Sequence, residues 1–212
     1  MQQQQAEHSA AGKPRRLTMP RSLAAAGLFG LAACAATGSG GGTVYFTNFT
    51  AGYVPSSLAA SGPLLVETYG APAPNLAQEA VTAASVQGLR NHGPSWMPRH
   101  YSGNPADVER PAYVLRIAYG VPKAFNGQGL CKAEMSSAAV EAARGAGDKD
   151  ATRTLAGVCR GTKAVAYAEG SPGVSPDISG EGFSKFVGLL GRKLMPRRNP
   201  VTQDDCIFRF CD

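Results

Sequence analysis

The stretch Tyr-Val-Leu-Arg-Ile-Ala-Tyr, residues 113–119, decides how the rest of the chain is read. Side chains alternate along a strand, so Tyr113, Leu115, Ile117 and Tyr119 share one face. Val114 and Ala118 share the other, with Arg116 between them. Apolar residues on both faces predict a strand covered on both sides. Two earlier stretches, Val44–Phe49 (VYFTNF) and Leu64–Tyr69 (LLVETY), also read as strands. Gly70, Pro72 and Pro74 end the second of them.

Between these strands the spacing predicts a helix from Leu76 to about Gln87. Asn75 is its expected cap, with Gln78 three residues on, and Gly88 its expected end. Leu76, Ala80 and Ala84 form its predicted inner face. Residues 91–111 read as a Gly/Pro-rich loop, and 120–130 as another. An Ala-rich helix is expected over 133–146 and a further helical turn or two over Ala151–Val158. Thr162–Ala168 follows as a strand, and Gly170–Gly182 as a turn-rich linker. The last helix has the most regular pattern: Phe183, Phe186, Val187, Leu190 and Leu194 form one apolar stripe. Arg192 and Lys193 lie in its last turn, where cations favour the helix dipole, and Pro196 ends it. The resulting order is β, β-α, β, α, β-α. It predicts an α+β fold, a mixed sheet of three to four strands with helices packed on it as a two-layer sandwich.

The chain has 212 residues, 43% of them hydrophobic, which is enough for a real core and excludes a fully disordered chain. Only 17% are charged, against a usual ~25%. No apolar run reaches the ~18 residues of a spanning helix, which excludes a polytopic membrane protein.

The N-terminus carries a different kind of information. In KPRRLTMPRSLAAAGLFGLAAC, residues 13–34, basic residues precede an apolar run, and small residues then precede Cys34. This is the layout of a secretory signal. Leu31-Ala32-Ala33-Cys34 resembles the bacterial lipobox, and the resemblance implies that Cys34 carries a thioether-linked diacylglycerol and an acylated amine. Residues 1–33 are therefore read as signal peptide, with translation expected to start at Met19 rather than Met1. Residues 34–43 form the lipidated cysteine and a Gly/Ser-rich tether, 44–200 a single domain, and 201–212 a tail. Removal of residues 1–33 takes away Lys13, Arg15, Arg16, Arg21 and Glu7, so the formal charge falls from +6 to +3. The basic balance of the whole chain is thus partly a targeting feature, and no nucleic-acid partner is expected.

With Cys34 lipidated, Cys131, Cys159, Cys206 and Cys211 remain. An even number in an exported chain suggests two disulfides. Three connectivities exist, of which Cys131–Cys159 with Cys206–Cys211 is preferred because each pair closes a local loop. The cysteine and histidine spacings do not suit zinc, and neither metal nor cofactor is expected.

Two further motifs carry a family resemblance. Val158-Cys159-Arg160-Gly161 and Pro196-Arg197-Arg198-Asn199-Pro200 are similar to motifs of a family of alphaproteobacterial lipoproteins, which implies no particular activity. The element order also loosely resembles periplasmic lipoprotein domains of the LpoB/CsgG type.

Catalytic signatures are missing from the sequence. It holds no H-E-x-x-H, P-loop or G-x-G-x-x-G, and Gly170-Ser171-Pro172-Gly173 is no nucleophile elbow. Three local features remain. Trp96, with Met97, His100 and Tyr101, reads either as a ligand or partner surface or as a plug on the core. Arg192, Lys193, Arg197 and Arg198 read as a contact for anionic headgroups or as a solvated helix end. His92 or His100 with Asp107 or Glu109 is the weakest, an acid–base pair without a nucleophile. The expectation is a non-enzymatic, membrane-anchored lipoprotein of the cell envelope. It would face the periplasm from the outer membrane, as a structural or protein-interaction module with an envelope protein partner. The alternatives are a small-ligand or glycan-binding lipoprotein and an envelope hydrolase.

Overall fold

Residues 114–119 form a strand near the middle of a mixed sheet, and their alternation matches their burial: Leu115, Ile117 and Tyr119 are fully buried. The computed structural model describes residues 41–200, apart from 98–99, 110, 124, 133–134, 136–138, 141–151 and 174–175. These belong to one compact unit. Along it run β1 (Thr43–Phe49), α1 (Pro55–Ala59), β2 (Leu64–Tyr69), α2 (Gln78–His92), β3 (Tyr101–Ser102) and β4 (Val114–Tyr119). After these come α3 (Gly127–Leu130), β5 (Thr154–Arg160), β6 (Lys163–Ser171) and α4 (Glu181–Leu194).

The sheet has six strands in the order β1-β6-β5-β4-β2-β3, more than the three to four expected. β2 is parallel to β3 and β4, and the remaining pairs are antiparallel. One additional strand is β3, only two residues long. The other is β5, where helical turns were expected. Thr154 to Cys159 are all buried, because β5 lies between β4 and β6 and is covered on both faces. Such a strand shows no alternation, and its Leu and Ala favour helix when read locally. Tertiary pairing overrides that preference.

α2 and α4 pack together on one face. The stripe predicted for the last helix is the buried one: Phe183, Phe186, Val187, Leu190 and Leu194 are each at most 2% exposed. α2 departs from expectation. It starts at Gln78, after Ala77, and Asn75 does not cap it but sits at a left-handed φ of 64°. Gln78 reaches back to β2 instead, donating to the Thr68 carbonyl at 3.0 Å and to its hydroxyl at 2.6 Å. The inner face is Val81, Ser85, Val86, Gly88 and Leu89, while Ala80 is exposed. Ser85 bonds the Tyr119 hydroxyl at 2.8 Å. Burial pushes that phenol well above its ordinary range, against a smaller opposing effect of the Ser85 bond.

Gly88 does not end α2, because it lies where α4 crosses. A Cβ there would stand 2.9 Å from the Ser184 carbonyl oxygen and 3.0 Å from the Val187 Cβ. Gly188 and Gly191 answer from α4: a Cβ on Gly191 would meet Leu89 Cδ2 at 2.7 Å, and one on Gly188 would run into the His92 backbone at 2.6 Å. Three glycines thus set how closely the two helices approach.

The opposite face is covered by α3 and its flanks. Val121, Leu130, Met135 and Val140 close over Ala118 and Leu155. Gly127 packs against the Tyr167 ring. Most of 133–146, read as an Ala-rich helix, lies outside the described residues. No described helix is long and apolar enough to cross a membrane.

Candidate functional site

Three fastenings hold the cover on the sheet. Arg116 Nε meets Glu67 at 2.7 Å, and its Nη1 donates to the Leu130 and Lys132 carbonyls at 3.3 and 3.1 Å. Arg153 is 7% exposed; it pairs with Glu169 through two nitrogens at 2.7 and 3.1 Å and donates to the Pro122 and Phe125 carbonyls. A guanidinium has five donors, so each arginine can neutralise a carboxylate and also hold loop carbonyls. The third fastening is the disulfide Cys131–Cys159, with Cα atoms 5.4 Å apart and a sequence separation of 28. The preferred pairing is the one the structure contains. Its partner pair, Cys206 and Cys211, lies outside the described residues, as does Cys34.

Loop-closure entropy assigns a bridge of this span roughly 3–4 kcal/mol. Replacing Cys131 and Cys159 together by Ala is therefore expected to lower the unfolding free energy by that amount in a denaturant titration. Thiol counting on the denatured, unreduced mature chain should find no free thiol. A double variant as stable as the parent, or two free thiols, contradicts the reading.

The residues proposed as one ligand or partner surface are separated by their burial. Trp96 is half-buried against the core, and its indole N–H donates to the Met195 carbonyl at 2.8 Å, at the end of α4. Tyr101 is 2% exposed in β3. His100 alone of the three is exposed; its carbonyl accepts from Leu64 N. Trp96 and Tyr101 serve the core, because a large ring beside a helix end gains more from burial than from water. The acid–base pair does not form either. Asp107 accepts from Ser102 Oγ and Asn104 Nδ2 around a short 3-10 turn, Pro105–Asp107.

Two surface features stand out. The first is a groove of about 570 Å³ along α2, lined by Gln78, Glu79, Thr82, Gln87, Arg90 and Asn104 among others. Arg90 is already engaged there, donating to the Tyr101 carbonyl at 2.6 Å. The second lies at the far edge of the sheet. Tyr45 and Phe46 on β1 are 57% and 43% exposed, and Val54 40%. A bulge between Val44 and Phe46 interrupts the pairing of β1 with β6 at Tyr45. Phe46 leans on Tyr167, ring centroids 5.7 Å apart.

The basic end of α4 joins this edge. Val44 to Thr47 and Lys193 line one small cleft of about 160 Å³. Tyr53 Oη donates to the Pro196 carbonyl at 2.9 Å, and Asn199 Nδ2 to the Tyr53 carbonyl at 2.9 Å. These bonds hold Arg197 and Arg198 beside Val54. Arg192 donates to the His92 carbonyl, so its head is partly engaged. The sequence reading found the cations but not the aromatic pair. The available signal was two adjacent aromatics in the first strand, of which only one can face the core.

No family model matches the chain, and no curated protein matches it. Solved structures similar to it include the PelC dodecamer from Paraburkholderia phytofirmans. That structure is 11% identical over 74% of this chain and 99% of its own, with a TM-score of 0.38. A single-substitution variant of PelC gives 12%, 73%, 100% and 0.38. At that score the likeness assigns neither a shared fold nor a function.

Proposed function

We propose that this chain is a cell-envelope lipoprotein, anchored through acylated Cys34 and facing the periplasm from the outer membrane. Its domain, 44–200, acts as a structural or protein-interaction module and not as an enzyme. The observation that carries this reading is the run from Leu31-Ala32-Ala33-Cys34 through a Gly/Ser-rich tether directly into β1, an outermost strand of the sheet with exposed aromatics. The Cys131–Cys159 disulfide supports it, since such bonds persist in oxidising compartments. Exposed apolar side chains on an edge strand mark a contact surface.

Cys34→Ser is expected to shift the chain from the processed membrane fraction to the soluble or uncleaved pool, read by fractionation and intact mass. A processed Cys34→Ser chain that still sediments with membranes rules the anchor out. Copurification of the tagged mature protein from membranes, with identification of bound chains, tests the interaction role. A second reading, a small-ligand or glycan-binding lipoprotein, draws support from the groove along α2, whose mostly apolar lining carries a few polar side chains. Loss of a bound glycan on Gln87→Ala, with partner chains unaffected, favours that alternative.

A further inference from the structure

The stretch Arg192 to Pro200 carries four cations, Arg192, Lys193, Arg197 and Arg198, and no acid. All four are exposed. Among the described residues no ion pair engages Lys193, Arg197 or Arg198. Tyr53 and Asn199 fix this segment beside Val54, while Lys193 shares a cleft with Tyr45 and Phe46. One end of the domain therefore combines cations of a single sign with exposed aromatic and aliphatic groups. Tyr is an amphipathic ring suited to the headgroup level of a bilayer, and clustered Lys and Arg suit anionic headgroups.

This inference rests on the anchor at Cys34. Eight residues, 35–42, separate that cysteine from Thr43, and the nine steps between them, fully extended, reach roughly 30 Å. The chain enters the domain at β1, with Gly41 and Gly42 beside Gly182, Lys185 and Phe186 of α4, and a reach of that length lets the edge carrying Tyr45 and Phe46 come to the bilayer.

We infer that this end of the domain is a membrane-seating surface: Lys193, Arg197 and Arg198 bind the phosphates of anionic phospholipids while Tyr45, Phe46 and Val54 enter the headgroup layer. The anchor then does more than tether. It presents the domain in one orientation, with the groove along α2 and the covered sheet face set by that seating.

The test uses the full processed chain reconstituted into phosphatidylcholine vesicles with and without phosphatidylglycerol. Amide exchange is followed over residues 43–54 and 192–200. Each cation near an anionic surface contributes about fivefold to association, so three contribute about 100-fold. Exchange in both segments is expected to slow about tenfold or more in the anionic vesicles. High salt should reverse the effect, because screening shortens to about 3 Å at 1 M. The triple variant Lys193→Gln, Arg197→Gln, Arg198→Gln should lose the difference at an unchanged melting temperature.

Equal exchange in both vesicle types overturns the inference. So does protection that appears in both and grows with protein concentration, which assigns the edge to a second copy of the chain. Failure of the anchor reads differently: Cys34 is then unmodified by mass, and the chain does not sediment with neutral vesicles. Sedimentation with anionic vesicles alone would still support the seating surface in that case.

Discussion

Gly188→Ala is expected to destabilise the domain by about 2 kcal/mol, although Ala is the better helix former. Two effects compete. Gly to Ala inside a helix gains about 1 kcal/mol of propensity. Against this, the new Cβ would lie 2.6 Å from the carbonyl carbon and oxygen of His92. That neighbour is backbone, so no rotamer change relieves the overlap, and α2 and α4 must move apart. Overpacking of this kind costs about 1–3 kcal/mol and sometimes more, and contact with a fixed backbone belongs at the upper end. The overlap wins. For a domain of this size the loss corresponds to a melting-temperature drop of roughly 4–8 °C. Ala83→Gly, at an exposed position of α2, calibrates the propensity effect alone. If Gly188→Ala raises the melting temperature, the helix crossing is looser than the structure has it.

This crossing also shows how far the sequence was legible. Gly88 reads locally as a helix terminator, and it would be one if α2 stood alone. Its role depends on α4, a hundred residues away, and no local pattern reports that distance. β5 failed for the same reason in reverse. Thr154–Arg160 has no alternation because both its faces are buried, and burial on both faces follows from its neighbours. The stripe of α4 was read well because its other face is wet and its period survives without context, and β1, β2, β4 and β6 were legible from β-branched and aromatic residues bounded by turn residues. Trp96 and Tyr101 were ambiguous, since a large ring reads alike on a surface and on a core. The cations of 192–198 were visible because like charges cluster in sequence. Their aromatic neighbours were not, because Tyr45 and Phe46 meet them only through the fold.

Phe186→Ala is expected to cost about 3–5 kcal/mol, a large part of a typical ~5–15 kcal/mol stability. Phe186 is fully buried, and its ring lies between α4 and the β1–β6 edge. A Cβ on Gly170 would reach its Cε2 at 3.0 Å, and one on Gly42 its Cδ2 at 2.7 Å. Glycine backbone forms part of that pocket wall, with no side chain able to swing in and fill the space, so the cavity persists. Leu190→Ala, one turn on and 1% exposed, should cost roughly 2–5 kcal/mol for the same reason. A different reading of the stripe, as an amphipathic surface lying on lipid beside the cations, makes the opposite forecast. It needs these side chains in contact with lipid, whereas they face the sheet. Stability and membrane seating should therefore separate cleanly. Phe186→Ala and Leu190→Ala should lower the melting temperature and leave the anionic-vesicle exchange difference intact in the folded fraction. Replacing Lys193, Arg197 and Arg198 should do the reverse. If Leu190→Ala leaves the melting temperature unchanged and abolishes the vesicle effect, the stripe faces lipid and the packing of α4 on the sheet is wrong.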